Sequence, residues 1–305
     1  MNVSVIKPHK PVMLNEVLKF LEPKDNEVYV DCTFGAGGYT TKILESANCK
    51  VIGLDRDTTV KKYADKIKEE FAKRFEFINC LFGDADKFLK EKVDGIILDL
   101  GVSSMQLDQT ERGFSFNKDA ALDMRMGSSE LTAFDIVNSY SEKELADIIY
   151  KYGDEVKSRQ IAKEVASLRK NKAIETTVEL ADIVRSVFPK KKYRIDPATK
   201  TFQAIRIFIN NELGELEKVL EASKILLKKN GRLIVVSFHS LEDKIVKEFL
   251  KNESGAKEGK INKYKVQKKN YCFQILTKKI VEPTDLEVKE NLRSRSAKLR
   301  AAIKT

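Results

Sequence analysis

Asp31-Cys-Thr-Phe-Gly-Ala-Gly-Gly38 joins a short apolar run, Glu27–Asp31, to a helical pattern that begins near Tyr39. Glycines at such a junction allow positive φ angles and close backbone approach of a nucleotide-like ligand. Asp55 ends the next apolar run, where a carboxylate can accept hydrogen bonds from both hydroxyls of a ribose. The glycines and Asp55 together predict a site for a ribose-containing cofactor, although a tight turn followed by a helix-capping Asp gives the same pattern.

The first third of the chain alternates strand and helix patterns. Apolar runs at Val51–Asp55, Phe75–Asn79 and Val93–Asp99 follow the first strand, and helical patterns separate them. Short β-rich runs separated by helices are typical of a parallel sheet with crossover helices. This order predicts an α/β fold with a mostly parallel, doubly wound, Rossmann-like sheet.

The pattern changes between Gln109 and Thr199, where no strong strand signal occurs. Capping-box sequences at Ser141-Glu-Lys-Glu144 and Thr176-Thr-Val-Glu179 predict two helix starts, and Gly153 can close the first helix. Such a run of helices in the middle of an α/β pattern indicates an insertion.

The core pattern resumes after this insertion. Its predicted elements are helices over 201–211 and 212–228, a helix stop at Gly231, strands over 232–238 and near 271–276, and an exposed loop over 252–270. We therefore expect residues 1–108 and 200–305 to form the cofactor-binding core. Residues 109–199 are expected to form an inserted helical domain that recognises the substrate.

The chain is basic, with 56 Lys plus Arg against 46 Asp plus Glu among 305 residues and a pI near 9.2. This surplus suits a polyanion such as nucleic acid, and equally a Lys-rich solubility surface. Four scattered cysteines and two histidines offer no metal-ligand spacing, so no metal is expected. The sequence has no apolar signal segment and no run of about 18 apolar residues, so no membrane contact and a cytoplasmic location are expected.

Asp99-Leu-Gly-Val-Ser103 follows the fourth predicted strand, at the edge of the sheet where open α/β folds bind ligands. An Asp at this point can accept a hydrogen bond from a reacting amine, or it can cap the following turn. The glycine turn and Asp55 suit a nicotinamide dinucleotide as well as S-adenosylmethionine (SAM). The run at Asp99 favours SAM, because methylation of an amino group needs such an acceptor.

Several further segments resemble one known family, in the same order along nearly the whole chain. They are His9-Lys-Pro-Val-Met13, the glycine turn, Asp99-Leu-Gly-Val-Ser-Ser104, Glu111-Arg-Gly-Phe-Ser-Phe116, Leu122-Asp-Met-Arg-Met126, Thr199-Lys-Thr-Phe-Gln-Ala-Ile-Arg206, Ser237-Phe-His-Ser-Leu-Glu-Asp243 and Arg293-Ser-Arg-Ser-Ala-Lys-Leu-Arg300. The chain resembles the small-subunit ribosomal RNA cytosine N4-methyltransferases, known as RsmH or MraW. The resemblance implies a class I SAM-dependent methyltransferase core with a helical insertion. It also implies methyl transfer to the N4 amine of a cytidine in the decoding region of 16S ribosomal RNA.

The resemblance implies site residues as well. The implied cofactor contacts are Gly35, Gly37, Gly38, Tyr39, Asp55, Phe82, Asp99 and Gln106, and the catalytic candidates are Asp99 and Ser103. The family usually has His after the glycine pair, where this chain has Tyr39. The backbone contact at this position is expected to persist, whereas the side chain differs.

The chemistry of the implied reaction points to Asp99. The exocyclic amine of cytosine is a poor nucleophile, because its lone pair is delocalised into the ring. A carboxylate that accepts one amine hydrogen localises that pair in the transition state. Related amino-methyltransferases have a Pro-Pro-aromatic motif after the corresponding residue, and this chain has Leu-Gly-Val-Ser instead. Methylation at a ring carbon needs an attacking Cys. Cys32 lies next to the glycine turn, and Cys49, Cys80 and Cys272 have no base near them in sequence, so that reaction is disfavoured.

Candidates for RNA contact are mostly basic. They are Arg112, Arg125, Lys190, Lys191, Lys192, Arg194, Lys200, Arg206, His239, Arg293 and Arg295, with Lys298 and Arg300 beside the last two. The insertion begins after Asp99 and returns through the lysine run, which favours RNA binding there. A target base must be unstacked, and its pocket can be lined by Phe114, Phe116, Met124 and Met126, which equally suit core packing. A second lysine group, Lys263, Lys265, Lys268 and Lys269, is expected in the exposed loop.

Two other functions stay open on the sequence alone. An NAD-dependent dehydrogenase would explain the glycine turn and Asp55, but the chain lacks an evident catalytic domain for it. A non-catalytic SAM-binding factor for RNA binding or assembly would explain the charge, but not the run at Asp99. The expected partner is 16S ribosomal RNA or the assembled small subunit, and both a monomer and a homodimer remain open.

Overall fold

A single mixed sheet organises the fold in the computed structural model, which describes residues 11–102, 109–127, 129–255 and 271–305. The strands are β1 (Val28–Asp31), β2 (Lys50–Asp55), β3 (Phe75–Asn79), β4 (Val93–Asp99), β5 (Leu227–Ser237), β6 (Phe273–Ile275) and β7 (Lys298–Lys304). They form a seven-stranded sheet in the order β3-β2-β1-β4-β5-β7-β6. Strands β1 to β5 are parallel, and β7 runs antiparallel between β5 and β6. The predicted α/β fold with a mostly parallel sheet is confirmed.

The helices belong to two compact units of the chain. They are α1 (Leu14–Leu21), α2 (Gly38–Ser46), α3 (Lys61–Phe71), α4 (Ala85–Phe88), α5 (Ala133–Ser139), α6 (Glu142–Gly153), α7 (Ser158–Leu168), α8 (Thr177–Ser186), α9 (Ala198–Asn210), α10 (Glu212–Leu226), α11 (Ser240–Glu253) and α12 (Asp285–Glu290). One unit comprises the chain up to Gly101 and from Leu213 onward, and the other runs from Val102 to Glu212. The second unit is wider than the 109–199 insertion expected from sequence, since it includes α9.

In the last third of the chain one local prediction is wrong and one strand was not predicted. Helix α10 ends at Leu226 and β5 starts at Leu227, so Gly231 lies inside a strand and does not stop a helix. After the buried Leu227, β5 continues with Lys228, Lys229 and Asn230, whose exposed side chains hide the strand pattern. Strand β7 was not predicted, because Lys298, Arg300 and Lys304 interrupt its apolar pattern.

The carboxyl ends of the parallel strands meet at one edge of the sheet. Asp31 at the end of β1 pairs with Ile97 of β4, and Asp99 at the end of β4 pairs with Val236 of β5. The middle of β4 is almost fully buried, as expected for a parallel strand covered on both faces. The sheet therefore places three strand ends and their polar residues beside one another.

The second unit is helical, and its helix starts follow the predicted capping chemistry. Ser141 with Glu144 and Thr176 with Glu179 form the two predicted capping boxes. Gly153 is the last residue of α6, and a Cβ there would lie 2.5 Å from the carbonyl oxygen of Lys200. Glycine at this point therefore also permits close packing of α6 against α9.

Asn210 fixes an irregular segment of the second unit. Its Nδ2 donates to the carbonyls of Met124 at 2.8 Å and Arg206 at 2.9 Å, and its Oδ1 accepts from the Met126 N–H at 2.7 Å. Met124 has a φ of +61°, a left-handed conformation that a non-glycine residue adopts only when its surroundings enforce it. The hydrogen bonds of the buried Asn210 amide stabilise this conformation of Met124.

We expect Asn210→Ala to lower the free energy of unfolding by roughly 1–3 kcal/mol, because buried backbone groups of Met124 and Met126 lose their partners. Urea unfolding measures this difference. Asn171→Ala removes the same side chain from an exposed site and is the matched control, with a change within about 0.5 kcal/mol. Equal stability of the two variants would contradict this role of Asn210.

Candidate active site

The glycine turn between β1 and α2 depends on glycine conformations. Gly35 and Gly37 have φ angles of +53° and +77°. A Cβ on Gly37 would lie 2.2 Å from Ile67 Cδ1 and 2.9 Å from the Phe34 ring, so a larger residue would displace these side chains and strain the backbone. The Gly37 N–H donates to the Phe34 carbonyl at 2.7 Å, and no side chain caps α2, which starts at Gly38. The turn thus leaves backbone N–H groups of the first helical turn available to a ligand.

Asp55 is bound to this turn through its carboxylate. The Gly35 N–H donates to Oδ2 at 2.8 Å, and the Asp57 N–H donates to Oδ1 at 2.8 Å. Burial raises the pKa of Asp55 to about 6, so the carboxylate is mostly ionised at neutral pH. A carboxylate has about four acceptor positions, and two backbone donors leave room for two ribose hydroxyls. The structure therefore joins Asp55 to the glycine turn, and its role toward a ribose stays a prediction.

Asp31 and Asp99 form a second acidic group at the neighbouring strand ends. Asp31 is fully buried and accepts from Thr40 Oγ1 at 2.8 Å, and burial raises its pKa to about 6. The Asp99 N–H donates to Thr33 Oγ1 at 2.7 Å, while its buried Oδ1 has no hydrogen-bond partner among the described residues. Burial of an acceptor atom without a hydrogen-bond partner costs free energy. The Asp99 Oδ1 atom is therefore suited to accept a hydrogen bond from a bound ligand.

Two glutamates that the sequence analysis did not select add charge beside Asp99. Burial, followed by the charges of Asp31, Glu242 and Glu287, raises the pKa of Asp99 well above its ordinary value. Glu242 lies in the quoted segment around His239, and Glu287 accepts from the Met13 N–H at 2.6 Å. Glu242 and Glu287 are far from Asp99 in the sequence. Their proximity to Asp99 is visible only in the folded structure.

His239, a candidate for RNA contact, is the N-cap residue of helix α11. Its Nδ1 accepts from the Glu242 N–H at 3.4 Å, and Glu242 Oε2 accepts from the His239 N–H at 3.2 Å, which completes a capping box. Its Nε2 lies 2.9 Å from Glu242 Oε1. The imidazole is thus held at the end of β5 together with a buried carboxylate.

Of the other cofactor candidates, some lie among the described residues and some do not. Tyr39 is the second residue of α2 and is buried, and half-buried Phe82 opens a 3-10 turn after β3. Ser103 and Gln106 lie outside the described residues, as do the second lysine group and the first two residues of the quoted segment, His9 and Lys10. Gly38 starts α2, as the sequence pattern predicts.

Four of the arginines expected to contact RNA already have partners inside the protein. Arg125 binds Asp123 through two bonds of 2.8 Å, and Arg112 donates to the Arg125 carbonyl at 2.9 Å. The half-buried Arg206 pairs with Glu212 through two bonds of 2.8 Å. In the first unit, Arg300 pairs with Asp243 at 2.7 and 3.1 Å. These contacts give each guanidinium a structural role.

Other basic candidates are exposed. Lys190, Lys191, Lys192 and Arg194 are exposed in the second unit, and Lys191 lies over the Tyr193 ring at 5.2 Å. Lys200 is also exposed and donates to the Asp154 carbonyl at 2.7 Å. Arg293 and Arg295 are exposed on the 3-10 helix Leu292–Ser296 of the first unit.

The side chains considered for a base pocket lie mostly in a hydrophobic core. Phe114, Met124 and Met126 are buried in the apolar cluster of the second unit. Phe116 is partly buried and packs edge-on against Phe202, with ring centroids 4.7 Å apart. Packing therefore accounts for these four residues.

The electrostatics of the strand edge suit a cationic ligand. The charges of Asp31, Glu242 and Glu287 oppose ionisation of Asp99, and a nearby positive charge would lower the pKa of Asp99 and stabilise its ionised form. The pyrophosphate of a dinucleotide would add negative charge at the same edge. SAM carries a sulfonium cation next to an adenosine ribose, so Asp55 and the acidic edge fit both of its parts.

The sheet order, the glycine turn and this acidic edge define a class I SAM-dependent methyltransferase. The sequence profile of the MraW methylase family matches residues 6–305. The chain belongs to this family. It is 55% identical to Ribosomal RNA small subunit methyltransferase H of Rickettsia bellii (strain RML369-C), with 98% of this chain and 99% of that protein covered. It is 56% identical to the protein of the same name from Rickettsia massiliae (strain Mtu5), with 98% of each chain covered.

The family membership removes support from the two alternative functions, the NAD-dependent dehydrogenase and the non-catalytic factor. In the described ranges, no group of three or more His, Cys, Asp or Glu residues could hold a metal ion. No helix of those ranges is long and apolar enough to span a bilayer.

We expect Asp55→Ala to weaken SAM binding by about tenfold or more, because a charged acceptor of hydrogen bonds contributes roughly 1.5–3 kcal/mol. Isothermal titration calorimetry measures the affinity. Asp55→Asn keeps the shape of the side chain and should retain part of the affinity for SAM. Asp65→Ala removes an exposed carboxylate from α3 and serves as control. Wild-type affinity in Asp55→Ala would remove this residue from the site.

Proposed function

We propose that this protein transfers a methyl group from SAM to the exocyclic N4 amine of a cytidine in 16S ribosomal RNA. The observation that carries the proposal is Asp99, whose buried Oδ1 is without a partner in the described ranges, at the edge that also holds the glycine turn. The names of the Rickettsia relatives support ribosomal RNA of the small subunit as substrate. We place the activity in the cytoplasm, with free 16S RNA or the assembled subunit as partner.

The residues of the site have two roles: Asp55 and the glycine turn bind SAM, and Asp99 accepts a proton. SAM, when bound, supplies a methyl group activated by its sulfonium. Asp55 and the glycine turn fix the position of that group, because transfer requires the two reacting atoms in line. Asp99 accepts a hydrogen bond from the target amine and localises its lone pair. The carboxylate then takes the proton that the amine loses, and its raised pKa makes it a better base than an exposed Asp.

Contact with RNA is proposed for the exposed basic residues of each unit. Lys190, Lys191, Lys192 and Arg194 lie close together in sequence, and within the described part of the chain they form no ion pair of the kind that holds Arg125 and Arg206. Phosphate contacts position a nucleic acid without reading its sequence. We therefore assign the lysine run to the grip on the RNA backbone. Arg293 and Arg295 provide a second basic surface.

The decisive experiment uses labelled SAM and small ribosomal subunits from cells that lack the modification, with free 16S RNA in parallel. Mass spectrometry of the digested RNA should find N4-methylcytidine at one position. Absence of transfer to either RNA would overturn the proposed function. Methylation at a ring carbon would overturn the assigned role of Asp99.

We expect Asp99→Asn to lower the single-turnover rate of methyl transfer more than it weakens SAM binding, because the acceptor acts mainly in the transition state. The comparison uses saturating RNA and SAM, with SAM affinity measured separately. Asp94→Asn makes the same change at the other end of β4 and should leave the rate near wild type. A wild-type rate in Asp99→Asn would leave this residue only a cofactor-binding or capping role.

We expect replacement of Lys190, Lys191 and Lys192 by Ala to weaken RNA binding and to flatten its salt dependence. The slope of log affinity against log salt should fall by up to about 0.7–0.9 for each lost phosphate contact. SAM affinity should not change. The triple variant Lys143→Ala, Lys163→Ala and Lys170→Ala removes equal charge from exposed sites of the same unit. If both triple variants share one slope, the lysine run is only a solvated surface.

A further inference from the structure

A short loop of the second unit carries aromatic and basic side chains side by side. It runs from Phe188, just after α8, to Tyr193 and contains three consecutive lysines at 190–192. The rings of Phe188 and Tyr193 meet edge to face, with centroids 5.9 Å apart and ring planes at 85°. The Tyr193 hydroxyl donates to the Pro189 carbonyl at 3.0 Å. These two contacts close the segment 188–193, the lysine loop, and fix the position of its lysines.

Lys157, the N-cap residue of α7, ties the lysine loop to the rest of the second unit. Its Nζ donates to the Val187 carbonyl at 2.9 Å and lies 4.7 Å from the centre of the Phe188 ring. A cation over an aromatic face is attracted by the negative charge of the π electrons. Phe188 is therefore held by Lys157 as well as by Tyr193, and it supports the Tyr193 ring from within the unit.

One face of the half-buried Tyr193 ring is directed at the surface. Lys191 is exposed, and its Nζ lies 5.2 Å from the centre of this ring. Because the ammonium of an exposed lysine reaches the ring, a flat group from solution can reach the same face. A base that stacks there takes the place of the ammonium, and Lys191 then lies beside that nucleotide, where it can pair with a phosphate.

The charge around the lysine loop suits an anionic chain. Residues 185–196 contain five basic residues and one acidic residue, Asp196, which Arg185 binds at 2.8 and 3.0 Å. Two apolar side chains nearby in sequence, Val156 and Ile195, are 85% and 55% exposed. A duplex offers such a surface mainly its phosphates and sugars, whereas a single strand also offers the faces of its bases. The combination of positive charge, an accessible ring and exposed apolar groups therefore favours an unpaired strand.

We propose that Tyr193 stacks on the base of an unpaired nucleotide of the RNA, while Lys190, Lys191 and Lys192 contact the phosphates beside it. The inference rests on the proposed function and names the form of RNA that the lysine run binds, a single strand. Stacking of this kind tolerates any sequence, because every base has a π face. The lysine loop thus selects unpaired over paired RNA without reading which bases it holds.

The test measures the affinity of wild type and of Tyr193→Leu for a single-stranded RNA oligonucleotide and for a duplex that contains the same strand. Loss of one stacked base should weaken binding of the single strand about fivefold or more. Affinity for the duplex should change less than about twofold, because its bases are already stacked on one another. The salt dependence should stay as in wild type, since no phosphate contact is lost. Equal weakening for the two RNAs, or wild-type affinity for the single strand, would overturn the proposal.

Two further variants separate the ring from its surroundings. Tyr193→Phe keeps the stacking surface and loses the donor to Pro189, so its affinity for the single strand should stay within about twofold of wild type. If Tyr193→Phe binds as weakly as Tyr193→Leu, the residue serves only to close the loop and the proposal fails. Tyr63→Leu is the matched control on α3 of the first unit, where Lys62 lies over a half-buried tyrosine ring at 5.1 Å. It should leave the affinity for both RNAs unchanged.

The binding assay does not depend on methyl transfer. If wild type binds the single strand through Tyr193 and transfers no methyl group to ribosomal RNA, the proposed function fails while the stacking stands. A protein of the small subunit is the other partner that this surface could contact. In that case Tyr193→Leu would bind free RNA as wild type does but bind the assembled subunit more weakly, and the proposal would be overturned.

Discussion

Strand β1 pairs in parallel with β2 on one side and with β4 on the other, so the chain reverses its direction across the sheet at β1. In open α/β sheets, ligands bind outside the carboxyl ends of the strands at such a reversal of strand order. Asp31 and Asp99 end these two strands, and the glycine turn follows the first of them. The position of the cofactor turn, of Asp55 and of the acidic edge all depend on this one pairing.

The acidic edge is unfavourable for the protein without a ligand. Burial raises the pKa of Asp31 and of Asp55 from an ordinary value near 4 to about 6. The native state therefore favours the protonated forms of Asp31 and Asp55, and the free energy of unfolding falls as pH rises from about 4 to 6. Above pH 6 each carboxylate costs roughly 3 kcal/mol of folding free energy. Buried groups of this kind are typical of sites where function constrains the sequence more than stability does.

The sequence predicted the elements that have a strong local signal. The strand before Gly35, the position of Asp55 and the capping boxes at Ser141 and Thr176 each follow from residues within a few positions of one another. Strand β7 escaped prediction because its pairing partners, β5 and β6, rather than its own composition make it a strand. Local propensity is a weak guide where tertiary pairing decides the conformation.

The residues of the candidate site were also predictable only where the local sequence carries a signal. Asp55 and Asp99 stand at the ends of apolar runs, where the chemistry can be read directly. Glu287 gave no signal, because its approach to Asp99 depends on segments far apart in the chain. Arg300 looked like an RNA contact, since no sequence rule shows that Asp243 neutralises it through two hydrogen bonds. Charge alone does not separate a guanidinium that is held internally from one that remains available.

The insertion of β7 between β5 and β6 also constrains the order of events during synthesis. Strand β6 precedes β7 in the chain but reaches the sheet only through it, since its ladder pairs with β7 and not with β5. A nascent chain that has emerged only as far as β6 therefore exposes an unpaired strand and an open edge along β5. Exposed edges of this kind attract other chains. Until β7 emerges and pairs with both strands, the growing polypeptide keeps this edge exposed.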